Sequence, residues 1–197
     1  MNRDGLLDVF RRCSALLEGH FRLSSGLHSP GYLQCALVLQ HPQHAALLGA
    51  ALADKVRDLR PTTVLSPAVG GLIIGHEVAR ALGARAIFAE REDGALRLRR
   101  GFSVNEAERV LVVEDVITTG GSTRETMQVA TAAGAQVVAA AAIVNRIGGA
   151  AAALDVPLHA LLDLSLPTYD PDTCPLCADG VPIQKPGSRQ VAVPHDQ

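Results

Sequence analysis

Residues 110–123 read Val110-Leu-Val-Val-Glu114-Asp115-Val-Ile-Thr118-Thr119-Gly120-Gly121-Ser122-Thr123, and this stretch decides the fold of the chain. The four apolar residues at its start are too few for a helix and are typical of a buried strand. Two carboxylates come next, followed by hydroxyl residues and glycines. Ser122 and Glu125 then match the spacing of a capping box, which predicts that a helix begins there. The predicted order is strand, acidic pair, hydroxyl and glycine loop, helix.

This order has a chemical consequence. Glycines let the backbone approach a ligand closely, and the N–H groups at a helix start carry partial positive charge, so the loop suits a phosphate. The carboxylates before it suit sugar hydroxyls, or a phosphate reached through Mg²⁺. Together these features predict a binding site for a ribose 5-phosphate. The alternative is a solvated strand-to-helix turn without a ligand, but the coincidence of acids, hydroxyls, glycines and cap favours the binding site.

The stretch closely resembles the phosphoribosyl pyrophosphate (PRPP) signature of the type I phosphoribosyltransferases. The resemblance implies that Glu114 and Asp115 bind the ribose 2′- and 3′-hydroxyls and that the following loop binds the 5′-phosphate. It also implies Mg²⁺ as cofactor, held mainly by PRPP and water, with no direct metal ligand from the protein. Asp115 is in addition a candidate catalytic residue. The PRPP site implied in this way comprises Glu114, Asp115, Val116, Ile117, Thr118, Thr119, Gly120, Gly121 and Ser122.

Composition narrows the function classes. A chain of 197 residues predicts a single domain, and 48% hydrophobic residues are enough for a substantial core. Only 3% of the residues are aromatic and the net charge is −2, which argues against a nucleic-acid partner. The longest apolar run is strand-sized and the first residues lack a signal-peptide core, so we expect a cytoplasmic protein with no membrane partner.

A hairpin is predicted after an N-terminal helix over residues 4–18. Phe21 and Leu23 alternate with polar residues, a turn rich in Ser, Gly and Pro follows, and Tyr32 and Leu33 resume the apolar pattern. The pattern Phe-x-Leu-x-Ser-Gly-x-x-Ser-Pro-x-Tyr resembles the N-terminal signature of the orotate phosphoribosyltransferases, with Ser24 where the better-known branch has a lysine. The resemblance implies a small hood over the base, formed by about residues 1–40 within one domain spanning 1–197.

The rest of the chain alternates strands and helices. Helices are predicted over residues 43–59 and 72–82, and strands over 63–66, 86–89, 136–144 and 157–164. This alternation predicts an α/β fold with a mainly parallel central sheet flanked by helices. The resemblance implies the type I phosphoribosyltransferase fold, with the glycine loop at residues 67–71 facing the pyrophosphate.

The segment 90–102 carries many charges and, by composition alone, is typical of a solvated hairpin. Its position at the end of a strand, where open α/β sheets place ligands, favours a role in the site. The resemblance implies a mobile catalytic loop that is lent to the neighbouring subunit of a homodimer. Lys and His are absent from residues 85–110, so the candidate catalytic cations are Arg91 first, followed by Arg99 and Arg100.

Arg146 follows the strand predicted over 136–144 and would otherwise be a plain surface residue. The resemblance places Arg146 and Thr118 at the base, where a guanidinium suits the carboxylate and carbonyls of orotate. The implied reaction is orotate plus PRPP giving orotidine 5′-monophosphate and pyrophosphate. The alternatives are a purine phosphoribosyltransferase, acting on adenine or xanthine, and a regulator that binds PRPP without catalysis.

Two cysteines lie in a C-terminal tail, about residues 167–197, that is predicted to be irregular. Cys174-Pro-Leu-Cys177 has the spacing of a metal knuckle, but no second cysteine pair of this kind accompanies it. A structural turn, half of a metal or redox site, and a disulfide all remain open for this pair.

Overall fold

The computed structural model describes residues 3–23, 26–146, 154–164 and 166–185. The chain groups into two compact units. The larger one, which we call the core unit, comprises Met1–Ala15 and Cys35–Ser165; the smaller one, the hairpin unit, comprises Leu16–Gln34 and Leu166–Gln197. The assignment of all 197 residues to one phosphoribosyltransferase domain stays a prediction.

The core unit is built on a six-stranded sheet. Its strands are β3 (Thr63–Pro67), β4 (Arg85–Glu92), β5 (Ala95–Leu98), β6 (Arg109–Ile117), β7 (Gln136–Asn145) and β8 (Leu158–Asp163). They lie in the order β5-β4-β3-β6-β7-β8, and every neighbouring pair is parallel except the β4–β5 hairpin. Residues 110–113 and 139–144 are fully buried. Such continuous apolar runs are what central parallel strands need, because both of their faces are covered.

Helices cover the sheet. They are α1 (Arg3–Arg12), α2 (Ala36–Leu39), α3 (Pro42–Val56), α4 (Gly71–Leu82) and α5 (Gly121–Ala132), with a 3₁₀ turn at Arg57–Leu59. The crossover from β3 through α4 runs to β4 on one side, and the crossover from β6 through α5 runs to β7 on the other. Because such crossovers are right-handed, α4 and α5 lie on opposite faces. The predicted α/β fold with a mainly parallel, helix-flanked sheet is confirmed.

The two crossovers diverge between β3 and β6, so the strand order reverses at that point. In open α/β sheets the loops that leave such a switch point separate and open a crevice at the carboxyl ends of the strands. The loop after β3 and the loop after β6 therefore flank the natural ligand site of this fold.

Two predicted boundaries are wrong. The helix predicted over residues 4–18 ends at Arg12, because Leu16 and Leu17 belong to a strand that pairs with Leu33 and Tyr32. The strand predicted at residues 110–113 extends to Ile117, so the acidic pair lies within β6 and not after it. In both cases strand pairing with a distant segment decides the conformation, and local spacing does not contain it.

The hairpin unit contains β1 (Leu16–Arg22) and β2 (His28–Leu33), which pair antiparallel and confirm the predicted hairpin. Ser24 lies outside the described residues. The described part of the tail, residues 166–185, contains a 3₁₀ turn at Pro171–Thr173 and α6 (Pro175–Ala178). Isolated bridges join its Tyr169 and Gln184 to the hairpin. Its last residues, 186–197, lie outside the described part of the chain. Among the described residues, no helix has both the length and the apolar character needed to cross a membrane.

Candidate active site

A cleft opens at the switch point of the core unit. The loop between β3 and α4, the β4–β5 hairpin and the end of β6 all contribute to it. Its lining residues are Pro67, Ala68, Gly70, Gly71, Arg91, Leu96, Glu114, Asp115 and Ser122. The structure thus brings four of the predicted site residues, from three segments of the chain, to one place.

Glu114 is buried towards the end of β6 and holds the first turn of α5. Its Oε1 accepts hydrogen bonds from Ser122 Oγ at 3.0 Å and from Thr123 Oγ1 at 2.8 Å. Burial raises the pKa of this carboxyl, the two hydroxyl hydrogen bonds oppose the rise, and the neighbouring charge of Asp115 adds to it. Because a carboxylate has acceptor sites on both oxygens, Oε2 of Glu114 is left for a ligand hydroxyl.

The predicted capping box is wrong, because both of its side chains have other partners. Ser122 donates to Glu114, and Glu125 binds the β4–β5 hairpin. Helix α5 begins at Gly121 without a side-chain cap, after Gly120 in the left-handed region at φ 71°. The N–H groups of the first helical turn lack intrahelical acceptors and are suited to an anion.

Asp115 is the second carboxylate of the cleft. Its Oδ1 accepts a hydrogen bond from the backbone N–H of Val116 at 2.9 Å. Burial is the main cause that raises the pKa of this carboxyl. The backbone of Gly70 approaches closely: a Cβ at that position would stand 2.8 Å from Oδ1. The absence of a side chain at Gly70 therefore leaves room for the carboxylate.

The loop after β6 is open on one side. Ile117 is buried, whereas Thr118 and Thr119 are exposed. The Thr119 carbonyl accepts a hydrogen bond from Arg124 Nη2 at 2.8 Å, so a cation stands beside the loop. Arg124 was not predicted from the sequence, although its place in the first turn of a helix that follows a glycine loop was the available signal.

Of the three candidate loop arginines, the structure places Arg91 at the cleft. Its Nη2 lies 2.8 Å from Glu125 Oε2, and Oε1 of Glu125 also accepts the backbone N–H of Leu96. These contacts fasten the β4–β5 hairpin to α5. They also lower the pKa of Glu125, with the hydrogen bond from Arg91 as the largest cause.

Arg99 and Arg100 do not line this cleft. Arg99 Nε lies 3.2 Å from Glu92 Oε1. Arg100 Nε lies 2.7 Å from Glu90 Oε2, and its guanidinium carbon stands 5.9 Å from the centre of the Phe88 ring. The segment thus forms a charged hairpin, and of its three candidate arginines Arg91 lines the cleft. The role of these arginines in the reaction stays a prediction.

Arg146 directly follows β7, and its backbone N–H donates to the carbonyl of Ile117 at 2.8 Å. This bond places its backbone beside the end of β6, close in sequence to Thr118. Neither Arg146 nor Thr118 is among the residues that line the cleft. Residues 147–153, predicted as a small-residue connection, lie outside the described residues.

The family follows from comparison with known proteins. The sequence-family model of the phosphoribosyl transferase domain matches residues 36–158 of the chain. The orotate phosphoribosyltransferase of Desulforamulus reducens is 51% identical to the chain over 191 residues, which cover 97% of this chain and 100% of the relative. This chain belongs to the orotate phosphoribosyltransferase family.

Solved structures of the family have the same fold. The orotate phosphoribosyltransferase of Aeropyrum pernix is 27% identical, with a TM-score of 0.68 over 81% of this chain and 93% of that one. The Mycobacterium tuberculosis H37Rv enzyme in complex with PRPP is also 27% identical, with a TM-score of 0.64 over 82% of this chain and 96% of that one. The predicted membership of the type I phosphoribosyltransferases is confirmed.

Proposed function

We propose that this protein transfers the 5-phosphoribosyl group of PRPP to orotate, giving orotidine 5′-monophosphate and pyrophosphate in pyrimidine synthesis. The observation that carries the proposal is that the acidic pair, the glycine loop at residues 67–71 and Arg91 meet at one cleft. The chain also matches an orotate phosphoribosyltransferase over almost its whole length. The solved complex of a family member with PRPP supports the donor substrate.

The geometry suggests how PRPP is held. The free carboxylate oxygens of Glu114 and Asp115 accept the ribose hydroxyls. The 5′-phosphate takes the loop from Thr118 to Ser122, where the first-turn N–H groups of α5 and the nearby Arg124 supply positive charge. The loop at residues 67–71 lies beside Asp115 at the cleft and receives the pyrophosphate. Because this loop lacks a basic side chain, its contact with the pyrophosphate is made by backbone N–H groups.

The chemical step forms the bond from orotate N1 to C1′ of the ribose and breaks the bond from C1′ to the pyrophosphate oxygen. Orotate is already an anion, so the difficult part is the departure of pyrophosphate, which leaves positive charge on the ribose. The half-buried carboxylate of Asp115 lies beside the sugar and stabilises that charge. Arg91 stabilises the negative charge that develops on the leaving group.

Mg²⁺ fits this cleft, because Glu114 and Asp115 line it and carboxylate oxygens are ligands that this ion prefers. A bound Mg²⁺ would supply positive charge that stabilises the leaving pyrophosphate. We propose that the ion would be held mainly by PRPP and water, beside Glu114 and Asp115.

Arg99 and Arg100 carry exposed side chains outside this cleft, which leaves them available to a neighbouring molecule. We therefore propose a cytoplasmic homodimer in which each subunit lends this segment to its partner's site. Arg146 and Thr118 flank the same end of the sheet and are proposed to contact the base, where the guanidinium meets the orotate carboxylate.

The experiment follows the loss of orotate absorbance with PRPP and Mg²⁺, with EDTA, adenine and xanthine in parallel. We expect Mg²⁺-dependent consumption of orotate that is abolished by Asp115→Asn and weakened by Arg146→Ala. Turnover of a purine without turnover of orotate would keep the fold and overturn the acceptor. Tight binding of PRPP without turnover of any base would instead indicate a regulator.

A further inference from the structure

Four metal-ligating side chains converge in the hairpin unit, far in sequence from the PRPP signature. They are His20 and His28 from the two strands of the hairpin, and Cys174 and Cys177 from the C-terminal segment. One ligand atom from each residue lies within 4.8 Å of all the others. We propose that these residues form a structural zinc site of the Cys₂His₂ type.

The distances between the ligand atoms match a tetrahedron around Zn²⁺. With Zn–N bonds of about 2.05 Å and Zn–S bonds of about 2.3 Å, tetrahedral angles separate two nitrogens by about 3.3 Å and a nitrogen from a sulfur by about 3.6 Å. His20 Nε2 and His28 Nδ1 lie 3.0 Å apart. The nitrogen-to-sulfur distances are 3.6 and 3.8 Å from His20 Nε2 to Cys174 and Cys177, and 3.3 Å from His28 Nδ1 to Cys177.

The tautomer of His20 indicates that a metal ion, rather than hydrogen bonds alone, links the four side chains. Its Nδ1 lies 2.7 Å from the carbonyl of Val181, which only accepts, so Nδ1 carries the proton. Nε2 of the neutral ring then has a single lone pair, yet three ligand atoms face it, from His28, Cys174 and Cys177. One lone pair satisfies one hydrogen-bond donor, whereas a zinc ion placed between all four atoms satisfies every one of them. A histidine ligand whose other nitrogen donates to a carbonyl is the usual outer-shell arrangement of such sites.

The backbone around the four side chains is fixed by hydrogen bonds. The His28 backbone exchanges two bonds of 2.9 Å with Tyr169, and the carbonyl of His20 accepts from Gln184 at 2.7 Å. Cys174 directly precedes α6 and Cys177 lies within it, and two residues separate them, as in a metal knuckle. His20, His28 and Cys174 are buried, and Cys177 closes the site at the surface.

The ligand set decides the metal and its role. Two thiolates and two imidazoles suit Zn²⁺, which accepts both ligand types in a tetrahedron. Four protein ligands leave no open position, so the ion is structural and not catalytic. A two-stranded hairpin alone is only marginally stable, and the ion joins it to the segment 167–185 within the same unit.

The test uses full-length protein that is reduced, stripped with EDTA and titrated with Co²⁺. We expect the absorption of tetrahedral cobalt bound to thiolates, saturating at one ion per chain and displaced by Zn²⁺. Cys177→Ser and His28→Asn are expected to abolish this spectrum. Cys13→Ser is the matched control and is expected to keep it, because Cys13 also lies 3.6 Å from an imidazole, that of His44, but outside this cluster.

Measurements on the wild-type protein test the proposal even if a variant fails to fold. For the wild-type protein, we expect zinc to raise the midpoint of thermal unfolding and to protect two of the four thiols from a thiol reagent. A colourless cobalt titration would overturn the proposal. So would an intact mass two hydrogens lighter without reductant, with the bridge mapped to Cys174 and Cys177.

Discussion

The backbone of Gly70 lies directly against the carboxylate of Asp115, so that a Cβ on Gly70 would come within 2.8 Å of Oδ1. Gly70 has φ −56° and ψ −43°, which any residue adopts. The requirement for glycine is therefore one of space and not of backbone conformation. This contact joins the loop after β3 to the acidic pair of β6 across the switch point of the sheet.

Gly70→Ala is expected to raise the KM for PRPP at least tenfold, because the methyl group displaces the Asp115 carboxylate from the ribose. Thermal unfolding should change little, since the displaced carboxylate moves towards the open cleft. Steady-state kinetics together with a thermal melt measures both. Gly49→Ala is the contrasting control: its Cβ would stand 2.6 Å from Cβ of Glu77, between α3 and α4, so it should lower stability instead. An unchanged KM in Gly70→Ala would contradict the proposed place of the ribose.

Arg91→Ala is expected to lower kcat ten- to a hundredfold by removing positive charge beside the leaving pyrophosphate. Arg91 also fastens the β4–β5 hairpin to α5 through Glu125, so a purely structural role must be separated from a catalytic one. Glu125→Gln breaks the ion pair but keeps the guanidinium, and its kcat should stay within a few-fold of the wild-type value. Equal losses in the two variants would show that the ion pair matters and the charge at the cleft does not.

The pH dependence of stability tests the raised pKa of Asp115. Burial raises the pKa of Asp115, so the folded state binds this proton more tightly than the unfolded state. The contribution of Asp115 to the free energy of unfolding is therefore greatest below the ordinary pKa of Asp, and it falls as the pH rises through that value towards the raised one. Asp115→Asn removes this loss, so it should be more stable than the wild type at pH 7, and the difference should vanish at a pH below the ordinary pKa of Asp. Denaturant unfolding at both pH values measures the difference.

Glu125 should show the opposite dependence of stability on pH, and the same unfolding measurements test it. Its pKa is lowered by Arg91 and Leu96, so its contribution is present above the ordinary pKa of Glu and is lost as the pH falls through the lowered value. Glu125→Gln should thus be less stable than the wild type at pH 7, by about 0.2–1 kcal/mol for a partly exposed pair, and equal to it in acid. A shift of stability in the same direction in both variants would mean that the pKa values of Asp115 and Glu125 do not move in opposite directions on folding.

The sheet could be predicted from the sequence because its signals are local. The apolar runs at residues 110–113 and 136–144 are long enough to be strands, and the helices between the strands have their own apolar periodicity. In the sequence, the acidic pair directly follows the apolar run at residues 110–113, and the loop from Thr118 to Gly121 comes shortly after it. The parallel order then brings them to the carboxyl edge without further information.

What the sequence did not predict depends on contacts between distant segments. Ser122 and Glu125 have the spacing of a capping box, but in the fold Ser122 binds Glu114 of β6 and Glu125 binds Arg91 of β4. The partners of Cys174 and Cys177 are histidines rather than a second cysteine pair. His20 and His28 meet the thiols only because the hairpin bridges to Tyr169 and Gln184, about 150 positions away in the sequence.

Thr123 donates one of the two hydroxyl hydrogen bonds that hold Glu114, and its removal tests whether that carboxylate must be positioned. Thr123→Val keeps the shape of the side chain and leaves the buried carboxylate short of a donor, which should lower stability by about 1–3 kcal/mol and raise the KM for PRPP several-fold. Thr126→Val is the matched control, because Thr126 is equally buried on α5 but donates to the carbonyl of Ser122. It should lower stability less and leave the KM unchanged. The same rise in KM from both variants would mean that α5 as a whole, and not the bond to Glu114, sets the affinity for PRPP.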